Sequence, residues 1–240
     1  MKSMIDAQKL KRRTQTAQIL SFGGMILLLV GVVLLFQKPD LGFDTEALAN
    51  PLLLGGFIIA NGGIYLANRW LKRPRPEDVL DYGLKPLPNT SRLYHYLLPA
   101  DHVLLTPSGV VVIEVVALEG KFAYRAGRWR QKFNLSRSLR LLVEERLGDP
   151  IQRANARAQQ IRALIAGSLD EPLPPIEPMV VFTHPQAVLD VDDAPIPVTG
   201  GHKLNKRLPL PVEKLPTEIY DELREILDWE AGLDEGEDNA

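Results

Sequence analysis

Two long apolar runs dominate the first third of the chain. No residue is charged between Arg13 and Lys38, and none between Glu46 and Arg69. A helix rising 1.5 Å per residue needs roughly 20 such residues to cross a hydrocarbon core about 30 Å thick, and both runs reach that length. Beyond Pro76 the pattern changes to short segments. Glu77–Leu84 reads as a helix; Arg92–Leu98, Asp101–Thr106 and Val110–Val116 read as strands, the last two joined by the Pro107-Ser108-Gly109 turn. Val110–Val116 is almost continuously β-branched, as in a central strand buried on both faces. Lys121–Arg130 reads as a hairpin turning at Ala126-Gly127. Asp149-Pro150 opens a helix whose stripe is Ile151, Ala154, Ala158, Ile161 and Ile165 and which Gly167 ends. Met179–Thr183 reads as a buried strand, Pro195–Pro211 as irregular, and Pro216 begins a last helix with Ile219, Leu223, Ile226 and Leu227 on one side.

This order indicates an α/β (α+β) fold with a mixed sheet flanked by helices, preceded by a two-helix transmembrane hairpin. The expected organisation is a basic N-terminus at 1–13, spans at 14–37 and 51–68 around a loop at 38–50, and a basic linker at 69–76. A soluble domain follows at 77–210, then a C-terminal helix at 211–229 and an acidic tail at 230–240. The first run is longer than a signal-peptide core and ends at Phe36-Gln37-Lys38-Pro39 without a small-residue cleavage pattern, so it reads as a retained span.

Charge orients the hairpin. Lys9, Lys11, Arg12 and Arg13 precede the first span, and Arg69, Lys72, Arg73 and Arg75 follow the second, whereas the loop sets Lys38 against Asp40, Asp44 and Glu46. The positive-inside rule then places both termini in the cytoplasm, and the expected location is a prokaryotic cell membrane. Tyr65 and Trp70 sit where interfacial aromatics belong. Gly56, Ala60, Gly63 and Ala67 share one face of the second span, which lets another helix approach closely: the first span, a second copy or a membrane-protein partner. Neither span carries a charge, which argues against transport, and Asn61 is expected to bond a backbone or the neighbouring helix.

The formal net charge is -2 and the chain has no cysteine. There is thus no global field for nucleic acid, and disulfides, thiol nucleophiles and thiolate metal sites are excluded. The four histidines lack zinc-hydrolase spacing. One acid stands apart: Glu114 lies among valines and isoleucines, where a carboxylate needs a partner or a metal. The Pro107–Gly109 turn can bring Asp101 to the same edge of the sheet. Two carboxylates there supply the oxygen ligands that Mg²⁺ or Mn²⁺ uses for attack on a phosphodiester.

The stretch Asp101-His-Val-Leu-Leu-Thr-Pro-Ser-Gly-Val-Val-Val-Ile-Glu114, with Gly120, Trp129 and Asp149-Pro-Ile-Gln152 downstream, resembles the NERD (nuclease-related) domain. That family is placed in the PD-(D/E)xK restriction-endonuclease-like fold. The resemblance covers roughly residues 77–167 and implies a metal-dependent site of Asp101, Glu114, a lysine two residues later and a glutamine on the next helix. The lysine position is Val116, which can neither polarise water nor stabilise a pentavalent phosphate. Gln152 lies one position early, with Arg153 where the glutamine is expected, and Glu77 is the nearest match to an early helical glutamate. The resemblance therefore implies the fold, while the missing lysine argues against activity and against a resident metal. Lys121 could restore activity if it reaches the site from the neighbouring strand; otherwise it is a solvated hairpin lysine.

Lys121, Arg125, Arg128, Arg130, Lys132, Arg137 and Arg140 alternate with Tyr124, Trp129 and Phe133. This is either an ordinary solvated face or a surface for nucleic acid or anionic lipid. Three functions follow as expectations: a degenerate membrane-anchored NERD-like binding or scaffold module, an active Mg²⁺- or Mn²⁺-dependent nuclease with a relocated lysine, and an accessory subunit of a membrane complex.

Overall fold

The structure, a computed structural model, describes residues 1–37, 44–71, 74–132, 147–169 and 172–233. Lys38, Asp40, Lys72, Arg73, Phe133, Arg137, Arg140 and the acidic tail from 234 onward lie outside the described residues. The chain forms two compact units. One holds the helices α1 (Ala7–Gln37) and α2 (Thr45–Trp70); the other holds Met1–Asp6, Pro74–Phe133 and the chain from Leu147 on.

The two helices pack antiparallel on a face of small residues. A Cβ on Gly63 would meet the Ser21 backbone, one on Gly24 would meet the Ala60 backbone, and one on Gly56 would lie 2.8 Å from Leu28 N. Gly56, Ala60 and Gly63 thus face α1, whereas Ala67 is half-buried. Asn61 bonds within its own helix, Nδ2 donating to Phe57 O at 2.7 Å. Arg13 sits over the Trp70 ring, 4.5 Å from its centroid. Both helices are long and apolar enough to cross a membrane.

In the other unit, a six-stranded mixed sheet is flanked by helices. Its strands are β1 (Lys2–Ile5), β2 (Arg92–His95), β3 (His102–Thr106), β4 (Gly109–Val116), β7 (Ile176–Phe182) and β9 (Val198–Gly200), in the order β1-β2-β3-β4-β7-β9. β2, β3 and β4 form an antiparallel meander, while β1, β7 and β9 join in parallel. The β3–β4 turn is fixed by Thr106, whose Oγ1 donates to Gly109 O, and by Gly109 at φ +136, where a Cβ would meet Pro175 O. A second sheet, β6-β5-β8, consists of β5 (Gly120–Arg125), β6 (Arg128–Lys132) and β8 (Ala187–Val191).

Alternation along β4 divides the core. Val110 and Val112 pack with Ala158, Ile161 and Ile165 of α4 (Pro150–Ala166) and with Leu223 and Leu227 of α5 (Thr217–Glu230). Val111 and Ile113 pack instead with Leu80 and Leu84 of α3 (Pro76–Leu84). β4 is therefore covered on both faces, as its composition predicts. Asp149 caps α4 by accepting from the amides of Ile151 and Gln152, both at 3.1 Å.

Several elements depart from the sequence reading. The strand expected over Arg92–Leu98 ends at His95, because Tyr96 turns left-handed at φ 63. The stretch expected to be irregular contains β9 and a short 3-10 helix, Gly201–Lys206. β8 was not expected. Nor was β1: the segment read as a basic N-terminal extension contains a strand of the sheet, with the Met1 amino group 3.1 Å from Asn89 Oδ1.

Candidate active site

Positions 110, 112, 114 and 116 of β4 share the face that α4 covers, which directs Glu114 at that helix. Glu114 is 7% exposed. Arg153 and Arg157, one turn apart on α4, meet it. Arg153 Nε lies 2.6 Å from Glu114 Oε1, and Arg157 Nε lies 3.3 Å from Oε2. Arg157 also reaches Asp101, Nη2 to Oδ2 at 3.1 Å, so one guanidinium bridges both carboxylates. Arg153 Nη1 donates to Leu147 O at 3.0 Å. The Asp149 cap fixes where α4 begins, and with it the position of both arginines.

The structure thus brings Asp101 and Glu114 together through Arg157. It does not bring Gln152 to them: that side chain is exposed, and its backbone amide serves the helix cap. Val116, at the position where the resemblance implies a lysine, is buried with Phe122, Ile151 and Ala154. Lys121 is exposed on β5 in the other sheet; because Phe122 and Tyr124 turn to the core, alternation turns Lys121 outward. Among the described residues no ion pair joins it to Asp101 or Glu114.

A divalent cation at the acid pair would have to displace two guanidinium groups that already neutralise both carboxylates. The donor set as it stands does not fit a metal. Among the described residues no three His, Cys, Asp or Glu side chains are grouped to hold one. Glu77 does not join the pair; it is buried on α3, and Tyr96 Oη donates to its Oε2 at 3.2 Å.

A buried polar chain lies on the α3 side of the sheet. His95 and His102 are cross-strand partners whose Nδ1 atoms are 2.8 Å apart, and His95 Nε2 lies 3.2 Å from Asp81 Oδ1. One Nδ1 of the histidine pair donates to the other, and His95 Nε2 faces the Asp81 carboxylate as a donor. Burial pushes the His102 imidazole well below its usual 6.5, and the charges of His95 and Arg157 push it in the same direction. For Asp81, burial works upward, but hydrogen bonds with His95 and Ser3 and the charge of His95 outweigh it, leaving the carboxyl below 3.8.

Sequence reasoning noted Arg153 only as a misplaced residue and missed Arg157. A signal was present: the two arginines stand four apart, each one position before a residue of the buried stripe, at Ala154 and Ala158.

The family model described as NERD, nuclease-related domain, matches residues 63–183. The mixed sheet and its flanking helices fit an α/β nuclease-like fold. Comparisons with curated proteins and with solved structures return no match.

Proposed function

Because the chain belongs to the NERD (nuclease-related domain) family, we propose that it is a membrane-anchored NERD protein that has lost nuclease chemistry and serves as a binding or scaffold module on the cytoplasmic face. The observation carrying this reading is the double-arginine clamp on Asp101 and Glu114. An active site of this kind needs free carboxylate oxygens for metal and a cation to activate water. Here Arg153 and Arg157 take the oxygens, and Val116 fills the lysine position with hydrocarbon.

The surface of α1 and α2 supports the anchor. Phe22, Met25, Ile26, Leu29 and Phe36 are largely exposed on α1, as are Leu54, Phe57 and Ile58 on α2. A core helix of a soluble protein buries such residues; lipid tolerates them. Topology supports the orientation. The chain leaves the sheet-bearing unit at Asp6 and re-enters it at Pro74, and two spans between those points would return it to the side it left. The flanking basic residues favour the cytoplasm for that side.

The full chain in detergent, supplied with Mn²⁺ or Mg²⁺, tests the loss of activity on single- and double-stranded DNA. No cleavage is expected. Cleavage that disappears in Glu114→Gln would establish a working nuclease. Retention in membranes after alkaline carbonate extraction tests the anchor; release into the supernatant would refute it.

A further inference from the structure

The register of the second sheet sorts its side chains into two faces. Phe122, Tyr124, Trp129 and Leu189 turn to the core. Lys121, Arg125, Arg128 and Arg130 turn outward and are exposed, and Lys132 is the register partner of Lys121. The hairpin turns through Ala126 at φ 49 and Gly127 at φ 74, the two positive values of a type I′ turn, which sets Arg125 directly opposite Arg128. β8 adds Val188, 53% exposed, and Asp190, whose Oδ2 lies 2.8 Å from Arg125 Nη2.

Like charges placed directly opposite in a sheet repel, and this small face sets Arg125 opposite Arg128, with Lys121 and Arg130 exposed on the same side. Asp190 relieves only Arg125. Among the described residues no ion pair engages Lys121, Arg128 or Arg130. An anionic surface laid against the sheet would turn that repulsion into attraction, and Val188 offers it an apolar contact amid the cations.

We propose that the outward face of β5, β6 and β8 docks on anionic lipid headgroups. The proposal rests on the reading of α1 and α2 as a membrane anchor. Only Asp6 separates β1 from α1, and residues 71–75 separate α2 from α3. Five residues span at most about 17 Å, so an anchored domain stays at high local lipid concentration whichever face it turns to the bilayer. A polyanion in solution has no such advantage, which favours lipid over nucleic acid.

The chain has no cysteine, so Val188→Cys gives a single site for an environment-sensitive fluorophore. The labelled full chain is placed in nanodiscs of phosphatidylcholine alone and in discs that also contain phosphatidylglycerol. Incorporation into the neutral discs reports the anchor independently of docking. In the anionic discs the emission is expected to shift to the blue and intensify, and to revert in about 1 M salt, where the Debye length falls to about 3 Å. Each cation near an anionic surface is worth about fivefold in the docked-to-free ratio, so Arg128→Gln with Arg130→Gln should lower that ratio about 25-fold while leaving the neutral-disc spectrum unchanged. The same spectrum in both discs, with incorporation intact, would overturn the proposal. So would a response in neutral discs to an added oligonucleotide that anionic lipid does not reproduce.

Discussion

Arg153 reaches from the second turn of α4 to place its Nε 2.6 Å from Glu114 Oε1, joining the helix to the centre of the sheet through a charged hydrogen bond. Glu114 is nearly buried, while Arg153 keeps 42% of its side chain exposed and Arg157 keeps 28%. The carboxylate therefore depends on its partners more than they depend on it.

That asymmetry sets the order of mutational costs. Arg157→Ala removes a bridge to both acids and is expected to cost about 1–3 kcal/mol, less than the ~3–5 kcal/mol of a fully buried pair because solvent reaches the gap. Glu114→Gln keeps an acceptor and should cost less. In a double-mutant cycle, Arg153→Ala and Glu114→Gln should be non-additive; additive urea midpoints would show that the contact contributes nothing.

The His95–His102 pair makes stability depend on pH near neutrality. His102 is held neutral in the folded protein, with its imidazole well below 6.5. Between that depressed value and 6.5 the unfolded chain binds the extra proton. Stability is then complete above about pH 6.5 and falls with acidification by up to about 1.4 kcal/mol per pH unit. Thermal melts between pH 8 and 5 should show this slope, and His102→Gln should flatten it. An unchanged slope would assign it to other groups.

Asp228 ties α5 to the sheet. Tyr94 Oη donates to its Oδ1 at 2.7 Å, and Arg92 Nη1 lies 2.6 Å from its Oδ2. Burial, then the hydrogen bond and charge of Asp228, raise the Tyr94 phenol, which stays protonated as a donor. Asp228→Ala removes the shared acceptor of Tyr94 and Arg92 and should cost about 2 kcal/mol. Hydrogen exchange should accelerate first in α5; uniform acceleration through the sheet would show that α5 does not open separately.

The helix pair offers an internal control. A Cβ on Gly63 would meet the Ser21 backbone, while one on Gly62 meets nothing within 4 Å. Gly63→Ile should force α1 and α2 apart and lower the melting temperature in detergent, and Gly62→Ile should leave it unchanged. Equal effects would place the contact elsewhere.

What the sequence made legible follows from local rules. Asp149-Pro150 announces the start of α4, the β-branched run announces β4, and Ala126-Gly127 announces the hairpin turn. β1 was illegible because four residues with one buried side chain, Met4, carry no periodicity; only pairing with β2 makes them a strand. The site was half legible. Glu114 stood out as a carboxylate in hydrocarbon, but its partners lie 39 and 43 positions later, and only the packing of α4 on β4 brings them there. The His95–His102 contact depends on register, which no local pattern specifies.

The clamp is tested most directly by a manganese titration of the full chain, followed by electron paramagnetic resonance. The unaltered protein should leave the free Mn²⁺ signal undiminished, because Arg153 and Arg157 hold the acid pair. Arg153→Gln combined with Arg157→Gln should release both carboxylates and attenuate the signal through new binding, and Glu114→Gln added to that variant should abolish it. Binding by the unaltered protein that Glu114→Gln removes would contradict the clamp and return the site to metal chemistry.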